Sequence, residues 1–421
     1  MALENNLYHV RAMFPACPEV PDPVGLDERE ACRQLFCALS EATGFRPQWG
    51  TLTGIRPVKL AGVDLGSEFL VSSEKVDIIR KIAELQSTLA PPPGKSFSLY
   101  ISIPFCPSRC SYCSFISEHN PSPALVEEYV RCLCEEIRFV GEIVKRESMW
   151  PQTVYVGGGT PTFLSHTQLD RVLGYVREVF DMSACSEITV EAGRPDTVTA
   201  EKLEVLKAGG TKRVSINPQT FDDEVLKNIG RGHTVRQTLE ALDMAKKCGF
   251  DVINCDLIAG LPGEGFDGFR KSVDTLLGAG VNNIAVHTLC VKRSSRIHEK
   301  SGKAVAYSKS EAGAMLDYAY GRLGHAGLRA GGLRPYYLYR QKLSLDGLEN
   351  VGFASPGTEC LYNVNIMADN QTIIACGAGG ASKLVGSEIK RSFGYKYAAE
   401  YVRGFDEILR RKRNLDLKDC L

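Results

Sequence analysis

Three cysteines stand in one short run, Ile103-Pro104-Phe105-Cys106-Pro107-Ser108-Arg109-Cys110-Ser111-Tyr112-Cys113. Thiolates are soft ligands suited to iron–sulfur clusters or to zinc. Three of them in a tight loop can hold three corners of a cubane. Zinc asks for a fourth ligand nearby, and Ser114-Phe115-Ile116 supplies none; His119 is the nearest candidate and stands alone. What remains is a cubane with one iron left open, and an open iron can bind a small molecule.

A second run, Val154-Tyr155-Val156-Gly157-Gly158-Gly159-Thr160-Pro161-Thr162, follows a strand pattern. Three glycines let a ligand approach the backbone closely, and exposed amides suit a carboxylate or amino-acid moiety; an ordinary tight turn would carry the same residues. Glu191 closes the next strand pattern, where barrel enzymes place functional side chains. Gln219, Arg231 and Asp256 fit either a ligand site or a buried polar network joining neighbouring strands.

The elements that must position these groups alternate regularly. Strand patterns are predicted at Phe97–Ile103, Thr153–Val156, Glu187–Glu191, Arg213–Ile216, Val252–Ile258 and Asn283–His287. Between them run helical patterns, at Leu125–Lys145, Leu169–Phe180, Thr199–Ala208, Val235–Cys248 and Phe266–Leu277. Six strands with intervening helices predict a parallel sheet joined by right-handed crossovers. Periodicity alone does not choose between an open doubly wound layer and a partial barrel. Before this region, residues 1–95 form an accessory segment ending in the linker Ala90-Pro91-Pro92-Pro93-Gly94-Lys95, which can neither continue a helix nor pair well in a sheet. The alternation occupies 96–305. From 306 to 421 the pattern changes to a helix, Ser310–Leu323, and aromatic and glycine-rich segments that form a short α+β extension covering the site.

The 421 residues are 44% hydrophobic and 24% charged, enough to bury a large core. Lys plus Arg equal Asp plus Glu, so nothing indicates a nucleic-acid partner. No apolar run has the length to span a bilayer. The first residues show no basic stretch followed by an apolar one. With 15 cysteines, an odd number, the expectation is a cytoplasmic protein with reduced thiols, most of them small buried hydrophobes.

The cysteine spacing, three residues and then two, with an aromatic just before the third Cys, resembles the radical S-adenosylmethionine (SAM) signature. That resemblance implies a partial (β/α)6 barrel, with a [4Fe–4S] cluster on Cys106, Cys110 and Cys113 and SAM chelated to the open iron. One electron then cleaves the sulfonium to methionine and a 5′-deoxyadenosyl radical. The runs Arg213-Val214-Ser215-Ile216-Asn217-Pro218-Gln219-Thr220, Gly230-Arg231-Gly232-His233 and Asp256-Leu257-Ile258-Ala259-Gly260-Leu261-Pro262-Gly263-Glu264 are similar to those of the oxygen-independent coproporphyrinogen III oxidases. Glu191-Ala192-Gly193-Arg194-Pro195-Asp196 and Tyr336-Tyr337-Leu338-Tyr339-Arg340-Gln341-Lys342 point to the HemZ-type branch.

By that resemblance Tyr100, Gly158 and Glu191 contact the cluster-bound SAM. Tyr112, Gly159, Thr160, Gln219, Arg231, Asp256 and Cys290 line a second SAM, so that one or two molecules bind. The implied reaction is oxidative decarboxylation of coproporphyrinogen III propionates to vinyl groups in haem biosynthesis. It needs a reductant for the cluster and an electron acceptor. A polycarboxylate tetrapyrrole needs basic partners, and Arg194, Arg340 and Lys342 are the candidates. Alternatives are a haem chaperone or another tetrapyrrole-acting enzyme such as a methyltransferase. The sequence departs from the oxidases at Ser102, where they carry His, and at Phe115, where they carry a further Cys, and their long C-terminal domain is not expected here. These departures bear on substrate placement.

Overall fold

The computed structural model describes residues 2–11, 13–14, 19–91, 95–115, 117–292, 295, 297, 311–324, 332–341, 344–417 and 420. Lys342, Ser310 and residues 92–94 of the proline-rich run lie outside them. Strand β1 (Ser96–Ile103) is followed by two-residue strands β2 (Phe105–Cys106) and β3 (Glu118–His119), which pair with each other and bracket the cysteine loop. Then come β4 (Trp150–Gly158), β5 (Glu187–Glu191), β6 (Arg213–Ser215), β7 (Val252–Ala259) and β8 (Asn283–Thr288). Strands β1, β4, β5, β6, β7 and β8 lie side by side in chain order, all parallel. These are the six predicted strands, arranged as the parallel sheet of a partial barrel.

The connecting helices begin where side chains satisfy free backbone N–H groups. Ser122 accepts from Leu125 N at 3.2 Å ahead of helix Pro123–Arg146, with Pro123 in the first turn. Reciprocal Ser165/Gln168 and Thr234/Gln237 boxes start helices His166–Val179 and Val235–Lys247. Helix Pro123–Arg146 turns Val126, Tyr129, Val130, Leu133, Ile137, Val140 and Val144 into the core. Each such side chain contributes about 1.5–3 kcal/mol on full burial, so Ile137→Asp would break the helix-to-sheet seam.

The strands after residue 306 are continuous with this sheet. They are β9 (Arg334–Arg340), β10 (Glu349–Ala354), β11 (Thr372–Cys376), β12 (Ala381–Val385) and β13 (Ile389–Phe393). Antiparallel β10 and then β9 extend the β8 edge, while β11 joins β1 in parallel and carries β12 and β13 outward. Between β10 and β11 the chain crosses beneath the barrel. There Arg213 donates to Glu187 at 2.8 Å and to Thr358 O at 2.9 Å, and Asn365 donates to Gln152 at 3.1 Å and to Gln371 at 2.8 Å. These buried polar bonds close the N-terminal ends of the strands and leave the C-terminal ends as the open mouth.

The N-terminal segment packs partly on itself, through Leu7, Val10, Phe14, Leu35, Phe36 and Leu39. A second apolar cluster, including Trp49, Ile79 and Ile82, takes in Leu338 of β9. Lys75, in helix Ser73–Thr88, reaches Glu349 of β10 at 2.5 Å, both fully buried, and the indole of Trp49 donates to the same carboxylate at 2.6 Å. No described helix is long and apolar enough to cross a membrane.

Candidate active site

The barrel strands are almost entirely buried, and most of the half-buried side chains share one face. In β1 the half-buried residue is Tyr100, in β5 Glu191, in β7 Asn254 and Asp256, and in β8 His287. Tyr155 in β4 and Tyr339 in β9 join them. Alternation in a strand sends every second side chain to the same face, so polar residues in otherwise apolar strands line one cavity. Tyr100, Tyr155 and Tyr362 stack on one another, with Tyr155 and Tyr362 centroids 4.5 Å apart.

The cysteine loop sits over one rim of this cavity. Cys106 and Cys113 are half-buried and Cys110 is buried. Burial pushes Cys113 up to about 11 and also raises Cys106, while the thiols push one another further. Such thiols stay protonated until a metal takes the proton's place, which suits ligands better than nucleophiles. Among the described residues no three His, Cys, Asp or Glu side chains converge to hold a single ion. Hydrogen-bond donors already address two of the sulfurs. Thr160 Oγ1 lies 3.4 Å from Cys106 Sγ, and Arg194 Nη1 lies 3.6 Å from Cys110 Sγ. Donors of this kind tune and hold an iron–sulfur cluster, so the loop fits one.

The glycine turn approaches the loop from β4. Gly158 has φ +113°, a conformation that L side chains rarely adopt. A Cβ at Gly159 would stand 2.6 Å from Phe105 O and 3.0 Å from Cys106 Sγ, so only glycine permits this approach. Beside it, Tyr155 Oη donates to Glu191 Oε1 at 2.6 Å. Burial lifts the Glu191 carboxyl to about 7, against the pull of the Tyr155 hydroxyl and the Gly158 N–H and with a further push from Asp256. It is poised to change charge near neutral pH.

The remaining expected residues fall around the same mouth. Arg231 donates to Gly193 O at 2.9 Å and Asn217 O at 3.0 Å, and also to Tyr112 Oη at 2.9 Å, so it ties the cysteine loop to two strand ends. Gln219 takes a left-handed φ of 71°, and its backbone bonds to Asp256 O at 2.9 Å and Ile258 N at 3.0 Å. Asp256 accepts from Asn254 at 3.0 Å and faces His287 Nε2 at 3.7 Å. Cys290 follows β8, bridged to Ser344.

Two of the basic candidates need correction. Arg194, 3% exposed, lies behind the cysteine loop, where it donates to Ser108 Oγ at 2.9 Å, to Asp196 and to Cys110. Arg340, 7% exposed, turns away from the cavity; it stacks on Trp49 and donates to Leu52 O and, at 2.8 Å, to Gly347 O. Both guanidiniums are consumed by internal partners, because an unpaired charge buried this deeply would be costly. Lys342 lies outside the described residues. Residues missed by sequence reading include Tyr155, His287, Tyr339 and Tyr362. The first three were legible as polar side chains interrupting apolar strands; Tyr362 reaches the cavity only through the tertiary crossing beneath the barrel.

The Radical SAM superfamily profile matches residues 100–276, which span the cysteine loop, the glycine turn and Glu191. The fold is that of the Escherichia coli structure described as "Coproporphyrinogen III oxidase (HemN) from Escherichia coli is a Radical SAM enzyme". That chain aligns with a TM-score of 0.60 at 23% identity, over 78% of this chain and 73% of its own. The Bacillus subtilis "Oxygen-independent coproporphyrinogen-III oxidase-like protein HemZ" is 38% identical over 386 residues, 86% of this chain and 76% of its own length. The B. subtilis "Heme chaperone HemW" is 33% identical over 249 residues, 55% of this chain and 65% of its own. The chain belongs to the coproporphyrinogen oxidase-like family of radical SAM proteins. A [4Fe–4S] cluster and SAM are the cofactors of that family.

Proposed function

We propose that the protein carries out oxygen-independent oxidative decarboxylation of coproporphyrinogen III, converting propionate side chains to vinyl groups. The observation that carries this reading is the convergence of the cysteine loop, the glycine turn and Glu191 on one mouth, in a chain 38% identical to an oxidase-like relative. Cys106, Cys110 and Cys113 hold three corners of the cluster. When bound and reduced, that group supplies a 5′-deoxyadenosyl radical from SAM.

The chain's own residues orient and exclude. The backbone of Gly157–Gly159 receives the amino-acid end of SAM, because a side chain there would occupy the space. Glu191, held by Tyr155, accepts from the ribose hydroxyls. Tyr100, Tyr155 and Tyr362 form an apolar floor that keeps water from the reacting carbon. Each propionate gives up a hydrogen atom from the carbon next to the macrocycle, then CO2, then one electron to an external acceptor, which leaves the vinyl group. Gln219, Arg231, Asp256 and Cys290 line the adjoining space, where a second SAM or the macrocycle is received. Residues 96–305 carry the cluster and SAM residues, the region after 306 adds Tyr339 and Tyr362 to the site, and the N-terminal segment packs against β9.

Reconstituted protein incubated anaerobically with coproporphyrinogen III, SAM and a reductant tests the reading by product mass. Vinyl products support it. Tight haem binding without vinyl product favours the chaperone reading, for which the 33% identity to a haem chaperone speaks. Transfer of label from SAM methyl to product would instead indicate a methyltransferase.

A further inference from the structure

Resting on the propionate reading, we propose that the imidazole of His287 receives a substrate carboxylate in the barrel mouth. A propionate has to be ionised to lose CO2, and an ionised group entering a half-buried cavity needs a positive partner. Arg194 and Arg340 do not provide it, and Arg231 is spent on two backbone carbonyls and Tyr112. Of the strand residues that line the cavity, Tyr100, Tyr155, Glu191, Asn254, Asp256, His287 and Tyr339, His287 is the one able to carry positive charge.

Its surroundings leave it ready to bond. The side chain is 28% exposed. Its nitrogens face Asp256 Oδ2 at 3.7 Å and Tyr339 Oη at 3.5 Å, both longer than a well-made hydrogen bond. An incoming carboxylate oxygen competes for a ring N–H with these long contacts to Asp256 and Tyr339. Asp256 is itself anchored by Asn254, so the ring keeps its direction. Burial opposes the charged ring, but Asp256, Asn350 and Glu191 outweigh it and hold His287 above its ordinary value. The charge therefore persists further toward neutral pH than on a free histidine. Tyr339, from β9, contributes a hydroxyl at the same point.

The test uses coproporphyrin III, the oxidised and unreactive form of the substrate. Cluster-loaded protein, His287→Gln and His287→Lys are titrated with it from pH 6 to 9, following porphyrin absorbance. His287→Gln should bind about 10- to 100-fold more weakly at pH 6 with iron content unchanged. His287→Lys should restore most of the affinity and hold it across the range, whereas the natural protein should weaken as pH rises. Equal binding by His287→Gln, equal loss in both variants, or affinity flat with pH would each overturn the proposal. Because the probe does not react, the two readings fail separately. His287-dependent binding without vinyl formation would sink the decarboxylase reading alone; vinyl formation with unaltered binding by His287→Gln would sink the carboxylate contact alone.

Discussion

The hydroxyl of Tyr155 donates to Glu191 Oε1 at 2.6 Å, from one parallel strand to its neighbour. That bond fixes the carboxylate facing the glycine turn. Tyr155→Phe removes one of the two donors to the Glu191 carboxyl and leaves the Gly158 N–H, at a cost of about 1–3 kcal/mol. SAM binding to the cluster-loaded variant should weaken by roughly 5- to 100-fold, with iron content unchanged. Equilibrium dialysis with labelled SAM checks this, and unchanged affinity would remove Glu191 from the site.

Glu191 should also make SAM binding depend on pH. Its carboxyl, lifted to about 7 chiefly by burial, is largely protonated below that value and ionised above it. Ribose hydroxyls donate better to the ionised form. Affinity should therefore rise from pH 6 to pH 8 and level off, and Glu191→Gln should bind weakly with no such rise. A slope of the opposite sign would contradict the assignment.

Cys106→Ala, Cys110→Ala and Cys113→Ala should each lose the brown chromophore and most of the iron. Cys248→Ala, which alters a half-buried thiol at the end of helix Val235–Lys247, should keep both. Iron analysis and visible spectra of anaerobically prepared proteins decide it; dependence on Cys248 would displace the ligand set.

Arg194→Met separates a loop-holding role from a substrate role. With the guanidinium 3.6 Å from Cys110 Sγ and 2.9 Å from Ser108 Oγ removed, the cluster should be lost faster to chelator, and its potential should fall because a positive charge near the sulfurs is gone. Coproporphyrin III affinity, measured on protein that retains iron, should stay within about twofold, inside the scatter of a site with no contact. A large loss of affinity with an unperturbed cluster would restore Arg194 as a substrate ligand.

Lys75→Met strands a buried carboxylate. Glu349 lies at the centre of bonds from Lys75, Trp49 and Tyr320, and breaking such a pair costs about 3–5 kcal/mol. Burial opposes the Glu349 charge, but Lys75 and Trp49 prevail and hold its carboxyl below the usual range. The ionised group therefore stabilises the fold above its ordinary unfolded value of about 4.3. That stabilisation is lost as pH falls through the lower folded value. Denaturant melts should show the loss at pH 7, with the two proteins converging in acid.

Much of this arrangement was written locally. The six strands of the barrel and five of its helices follow from alternation, 3.6-residue periodicity and caps such as Ser165/Gln168, all short-range signals, while the short helix Asp223–Asn228 went unread. The cysteine spacing carries its own chemistry, because three thiols in eight residues have little room to be anything but neighbours. Arg194 and Arg340 were misjudged for a physical reason. A basic residue beside a functional motif looks available in one dimension, while deciding partners, Ser108 and Cys110 for one and Leu52 for the other, lie 84–86 and 288 residues away. Trp49 carried no legible role because its partner Glu349 is 300 residues distant.

The sequence by itself determined the parallel alternating core, the three-cysteine loop and the glycine turn, since each depends on residues within a few positions of one another. Only the tertiary structure decided which face of the strands is the cavity, that the C-terminal strands join both edges of one sheet, and that His287 stands between Asp256 and Tyr339. Those outcomes depend on contacts between side chains far apart in the chain, where burial and pairing, not local preference, set which polar groups remain free to meet a ligand.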